Sequence, residues 1–170
     1  TRLMQLYCGI DLHSNNAVIS LIDENDLAIK ENRLDNDLNL ISDYLSPFQS
    51  NINGVVVEST YNWYWLVDGL MESDYRIKLA NPNAIQQYNG LKHANDKTDA
   101  RWLAELNRLN ILPTGYIYPK AGRGLRDLLR KRLQLVQDCT RHLLSIQTIV
   151  ERNTGVRLTG SQIKRFSDEQ

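Results

Sequence analysis

Cysteine is scarce in this 170-residue chain. Cys8 and Cys139 are the only two, and both fall in apolar patterns that read as reduced core positions, which excludes a disulfide framework. No apolar run is long enough for a transmembrane helix, and no signal peptide opens the chain. Internal repeats and low-complexity segments are missing as well. Net charge is also absent, since 20 basic residues balance 20 acidic ones. The balance hides an asymmetry. Residues 1–118 carry nine Lys or Arg against fifteen Asp or Glu, whereas residues 119–165 carry eleven against three. An acidic part followed by a basic part suggests two jobs, one with a metal and one with a polyanion. The expectation is a cytoplasmic protein of one ordinary domain with an appendage. The chain begins at Thr1 without Met and ends on Ser167-Asp168-Glu169-Gln170, which reads as a piece of a longer protein.

The apolar stretch Leu6-Tyr7-Cys8-Gly9-Ile10 reads as a buried central strand, and it ends on Asp11. A carboxylate there is costly to bury unless its charge is compensated, and a metal ion is the usual solution. Residues 16–22 form a second strand, apolar on both faces and therefore interior. Residues 27–34 form a third, whose Lys30, Glu31 and Arg33 suit a sheet edge. Asn36 is placed to cap a helix over residues 37–45, which Pro47 ends. The β-branched stretch Val55-Val56-Val57 makes a fourth strand that closes on Glu58. A helix over about 62–72 follows, with Ser59 or Thr60 as cap. Next come a strand over 75–80 and a helical stretch opened by Asn81-Pro82.

Asn95-Asp96-Lys97-Thr98-Asp99-Ala100 starts another helix, with Asn95 as its expected N-cap. Asp96 and Asp99 are three apart and share one face of its first turn. The same two acids also suit the positive end of any helix. After a connector holding Pro113 and Pro119, a long helix runs from about 124 to 152. Leu129, Val136, Cys139, Leu143, Ile146 and Val150 follow a 4-3 spacing resembling a coiled coil, and Thr154-Gly155 breaks the helix. Its leading part bears Lys120, Arg123, Arg126, Arg130, Lys131 and Arg132. That run is either a nucleic-acid contact or a solvated face.

This order of elements describes an α/β chain with a mixed sheet. Asp11 and Glu58 would stand side by side at one strand end, with Asp96 and Asp99 laid over them by a later helix. Four carboxylates suit Mg²⁺ or Mn²⁺ rather than zinc. Two such ions would flank a phosphodiester. Lys97 and Arg101 would steady the acids or touch phosphate. His13 is either a phosphate contact or a solvent-facing loop residue. Trp63 and Trp65 would either stack on a base or pack in the core.

Three segments, Gly9-Ile10-Asp11-Leu12-His13, Val56-Val57-Glu58-Ser59-Thr60 and Asn95-Asp96-Lys97-Thr98-Asp99-Ala100, resemble the DEDD insertion-sequence transposases. These include the Piv-type DNA invertases and the bridge-RNA-guided recombinases of bacteria and archaea. The resemblance runs from about residue 5 to 165. It implies an RNase H-like, RuvC-like fold over residues 1–115 and a basic, coiled-coil-like helical segment over 116–170. It implies that Asp11, Glu58, Asp96 and Asp99 are the catalytic, metal-binding tetrad. It also implies DNA and a structured guide RNA as partners and a homodimer or higher oligomer. Nucleic acid would be met by Lys97, Arg101, Lys120, Arg123, Arg126, Arg130 and Lys131. Members of the family carry a further C-terminal domain with a nucleophilic serine, for which this chain has no counterpart. Two other readings stay open: a stand-alone RuvC-like endonuclease, and a non-catalytic RNA-binding dimerisation module. Sugar-kinase or actin-like ATPases also begin with a strand and an aspartate, but they need glycine-rich phosphate loops that are missing here.

Overall fold

The computed structural model describes residues 4–91 and 98–168. The chain divides into two compact units, residues 1–117 and 118–170.

The first unit is built on a five-stranded mixed sheet. Its strands are β1 (Leu6–Leu12), β2 (Asn16–Asp23), β3 (Ala28–Asp35), β4 (Ile52–Glu58) and β5 (Ile77–Ala80), in the order β3-β2-β1-β4-β5. The first three form an antiparallel meander, and β4 and β5 run parallel to β1. β1 is thus the central strand, and β3 lies at an edge, as its charged residues require. Lys30 of β3 rests its ammonium 4.0 Å from the centre of the Tyr44 ring.

Helices cover both faces, which is why Val55, Val56 and Val57 can all be apolar and fully buried. On one face α1 (Leu38–Leu45) and α2 (Tyr64–Glu72) pack against Cys8, Ile10, Leu12, Val55 and Val57. Burial pushes the Cys8 thiol pKa up, so it is an inert core group. On the other face α4 (Asp99–Arg108) packs Trp102, Leu103 and Leu106 against Val56 and Ala80. A short helix, α3 (Pro82–Ile85), is capped by Asn81, whose side chain accepts from the Asn83 and Ala84 amides.

The start of β4 contains a bulge. Leu6 pairs with Ile52, but Cys8 pairs with Val55, so two residues of β4 oppose one of β1. Gly54 takes the required positive φ of 91°. Ile52 and Val55, three apart, therefore pack into the same core. Asn107 of α4 completes the bulge: its Nδ2 donates to the Asn53 carbonyl at 3.3 Å, and its Oδ1 accepts from Lys78 Nζ at 2.7 Å.

Local capping differs from the expected pattern in three places. Asp37, not Asn36, caps α1, accepting from the Asn39 and Leu40 amides. Neither Ser59 nor Thr60 caps α2, which starts at Tyr64 without a side-chain cap. Thr98 caps α4, its hydroxyl accepting from the Arg101 amide. Asn95, the expected cap, lies outside the described residues.

The second unit holds α5 (Lys120–Thr154) and α6 (Gly160–Asp168). Gly155, at φ 71°, ends α5 in a left-handed turn. Gln147 Nε2 donates to the Leu158 carbonyl at 2.8 Å and ties the following loop back to α5. Cys139, expected in a core, is exposed. α5 has 35 residues of which only Arg123 is buried, so it has no apolar layer in which Cys139 could sit. Leu129, Val136 and Ile146 of the 4-3 stripe are exposed too. Among the described residues no helix is long and apolar enough to cross a membrane.

Candidate active site

Strand geometry puts Asp11 and Glu58 on one face. Side chains alternate along a strand, and residues paired across parallel strands share a face. The β1–β4 register pairs Gly9 with Val56 and Ile10 with Val57. Continued by one residue, it sets Asp11 beside Glu58, both on the side that α4 covers. The bulge at Gly54 matters here, because a one-residue slip would turn Glu58 to the opposite face.

Gly9 lets the helix close on these carboxylates. A Cβ built there would lie 2.0 Å from the Ala100 carbonyl oxygen and 2.7 Å from the Ala104 amide nitrogen. Helix and strand thus approach backbone to backbone, with alanines on the helix side. That contact seats the start of α4 over β1. Asp99 is the first residue of α4, where the helix dipole favours a negative charge. Asp99 and Glu58 line one cavity of about 250 Å³, together with Gln86, Asn89 and Trp102. The indole N–H of Trp102 is buried and has no hydrogen-bond partner among the described residues.

Asp11 is 8% exposed. His13 Nε2 lies 3.1 Å from Asp11 Oδ2. The His13 carbonyl in turn accepts Asn36 Nδ2 and Asn62 Nδ2, each at 3.0 Å. Of the expected tetrad, Asp11, Glu58 and Asp99 are therefore placed on the α4 side of the sheet, whereas Asp96, like Lys97, lies outside the described residues. Among the described residues, no three His, Cys, Asp or Glu side chains are grouped closely enough to hold a metal ion. The donors that are present fit a hard cation nonetheless. They are carboxylate oxygens, one of them nearly buried, at the C-terminal ends of parallel strands.

The expected nucleic-acid residues are divided. Arg101 Nη2 donates to the Asp26 carbonyl at 2.7 Å, and Arg108 Nη1 donates to the Glu24 carbonyl at 3.4 Å. Both arginines dock α4 on the β2–β3 turn. Arg123 is buried, and its Nε donates to the Tyr118 carbonyl at 2.8 Å. Arg126 stacks its guanidinium 4.5 Å from the centre of the Tyr118 ring. Lys120, Arg130 and Lys131 are exposed on α5, and the last two line a surface groove with Asp127 and Gln134. Trp63 belongs to the core, 3% exposed, edge-on to Tyr64.

Sequence reasoning missed Gly9, Asn36 and Asn62 as site-building residues. Gly9 carried a signal, since a glycine inside an apolar strand marks a close backbone approach. The two asparagines carried none, because their partner is a backbone carbonyl distant in sequence.

No curated protein matches the chain. A family model described as a transposase, of the DEDD IS110 type, matches residues 8–153. That span includes both strand-end carboxylates, all of α4 and nearly all of α5, and the chain belongs to this transposase family.

Proposed function

We propose that this chain is the catalytic, metal-holding part of a transposase that cuts and exchanges DNA strands, with Mg²⁺ or Mn²⁺ held by Asp11, Glu58, Asp96 and Asp99, directed by a structured RNA. One observation carries the reading. Asp11 and Glu58 stand in register at the ends of adjacent parallel strands, on the face where α4 places Asp99. A hard divalent cation bound there would activate an attacking oxygen and stabilise the leaving one at a phosphodiester. The chain's own part would be to bring carboxylates from two strands and one helix to one face of the sheet, with the helix held close by Gly9. Residues 1–115 would carry this chemistry. Residues 116–170 would meet nucleic acid through Lys120, Arg126, Arg130 and Lys131, and a second copy of the chain through the apolar stripe of α5.

The test is binding and cleavage of branched DNA and structured RNA with Mg²⁺ or Mn²⁺, comparing the chain with Asp11→Asn. Tight RNA binding without cleavage by the chain alone is the expected result, and metal-dependent cleavage that Asp11→Asn abolishes would instead assign a stand-alone endonuclease. Cleavage that survives Asp11→Asn would remove the reading. A non-catalytic RNA-binding module is the second reading, favoured by the lack of a three-ligand group among the described residues. It predicts RNA affinity that tolerates changes at all four carboxylates and falls on changes at Arg126 and Arg130.

A further inference from the structure

The turn after β1 is held by more bonds than an exposed loop needs. The His13 amide donates to the Asn16 carbonyl at 2.8 Å. The His13 carbonyl accepts two side-chain amides at 3.0 Å each, from Asn36 just after β3 and from Asn62 just after β4. Asn62 is itself oriented by Thr60, whose hydroxyl donates to Asn62 Oδ1 at 2.9 Å. From this fixed backbone the imidazole reaches back to Asp11, with Nε2 3.1 Å from Oδ2.

Asp11 is still paired with Val18 of β2 and Glu58 with Ala80 of β5, but the bonds at His13 lie where β1 and β4 stop pairing with each other. The β1–β4 ladder ends at the Ile10–Val57 pair, one residue short of both Asp11 and Glu58. Asn62 follows Glu58 by four residues, and His13 follows Asp11 by two. The Asn62–His13 bond therefore ties the two carboxylate-bearing strand ends together just beyond the last pair. Side chains that grip a metal-ligating carboxylate fix its orientation, and losing one typically costs about 10–100-fold in metal affinity.

We propose that His13 and Asn62 form a positioning clamp for the Asp11–Glu58 pair. His13 sets the orientation of the Asp11 carboxylate, and Asn62 sets the spacing of the two strand ends. Neither residue is a metal ligand in this scheme. The clamp rests on the metal-binding reading above.

The experiment titrates Mn²⁺ alone into the full chain and reads free Mn²⁺ by electron paramagnetic resonance, with a thermal melt of each variant alongside. Asp11→Asn is expected to abolish the specific site. His13→Ala and Asn62→Ala should weaken it by about 10–100-fold with the melting transition retained. His13→Gln, whose amide can still donate to Asp11, should recover part of the loss. His13→Ala and Asn62→Ala binding Mn²⁺ as tightly as the unaltered chain, while Asp11→Asn does not, overturns the clamp and leaves the metal reading standing. Equal binding by the unaltered chain and Asp11→Asn, or none by either, removes the metal reading and the clamp with it. Loss in His13→Ala that His13→Gln does not restore, accompanied by a lost melting transition, assigns His13 to folding and also overturns the clamp.

Discussion

A methyl group added at Gly9 would sit 2.0 Å from the Ala100 carbonyl oxygen, and neither backbone has a soft side chain to move aside. Gly9→Ala is therefore expected to lower stability by about 1–3 kcal/mol or more through overpacking, read as a lower urea midpoint. An unchanged midpoint would show that α4 can ride outward freely. Gly54 is a different case. Its surroundings leave room for a Cβ, with Arg76 O and Asn107 Nδ2 both 3.6 Å away, but its φ of 91° does not suit one. Gly54→Ala should cost on the order of 1–3 kcal/mol in backbone strain. Should the bulge instead relax, Glu58 would turn off the α4 face and any metal-dependent activity would fall further than stability. Asp23 makes the third prediction. It accepts the Leu27 amide at 2.9 Å and the Asn25 amide at 2.8 Å. These bonds, Leu27's first, hold its pKa below the ordinary 3.8 despite the opposing effect of burial. A depressed carboxyl pKa stabilises the fold above about pH 4 and loses that contribution as pH falls through the lower folded value. Melting temperatures of Asp23→Asn should therefore fall less steeply below pH 4 than those of the unaltered chain. Parallel curves would remove this role.

α4 is the element on which the site depends, and it is fixed at both ends. At its start Thr98 caps the helix and its hydroxyl also lies 3.1 Å from Glu31 Oε2 of β3. Further along, Arg101 and Arg108 grip carbonyls of the β2–β3 turn, and Asn107 grips the β4 bulge. Thr98→Ala should cost about 0.5–2 kcal/mol through the lost cap, measurable by chemical denaturation. Thr98→Ser, which keeps the hydroxyl, should cost less. α5 poses the opposite situation, because its stripe of Leu129, Val136 and Ile146 is exposed. Pairing with a second copy along this stripe would appear as a dimer in sedimentation equilibrium that Val136→Asp returns to monomer. A monomer at every concentration removes such pairing. Where Lys120, Arg126, Arg130 and Lys131 meet phosphates, affinity for nucleic acid should fall steeply with salt, and Arg130→Ala should flatten the slope by roughly one counterion. Affinity indifferent to salt would count against that contact.

At the scale of the whole molecule, local pattern was enough to find most elements and their faces. The central place of β1, the interior place of β2 and the edge place of β3 follow from burial alternation and charge, because a strand's two faces must match what covers them. The mixed sheet and the membership of the transposase family were legible as well, since both are carried by short segments with fixed residue types. Helix ends were read less well. Asn36 and Asp37 are chemically almost equal as caps, and the choice fell to Asp37 because Asn36 is drawn to the His13 carbonyl across 23 residues. Arg101 was legible as a charge beside an acid, but which acid it serves depended on the β2–β3 turn folding back under α4. Cys139 looked like a core residue because apolar spacing alone does not say whether a helix has neighbours. By itself, then, the sequence determined the strands, the helices and the carboxylates that end β1 and β4, all of which are local properties of a dozen residues or fewer. Tertiary structure decided the rest: the bulge that turns Glu58 toward Asp11, the close approach at Gly9 that seats α4, and the asparagine bonds that join the strand ends. Each of these depends on backbone groups far apart in the chain, whose contact no local pattern encodes.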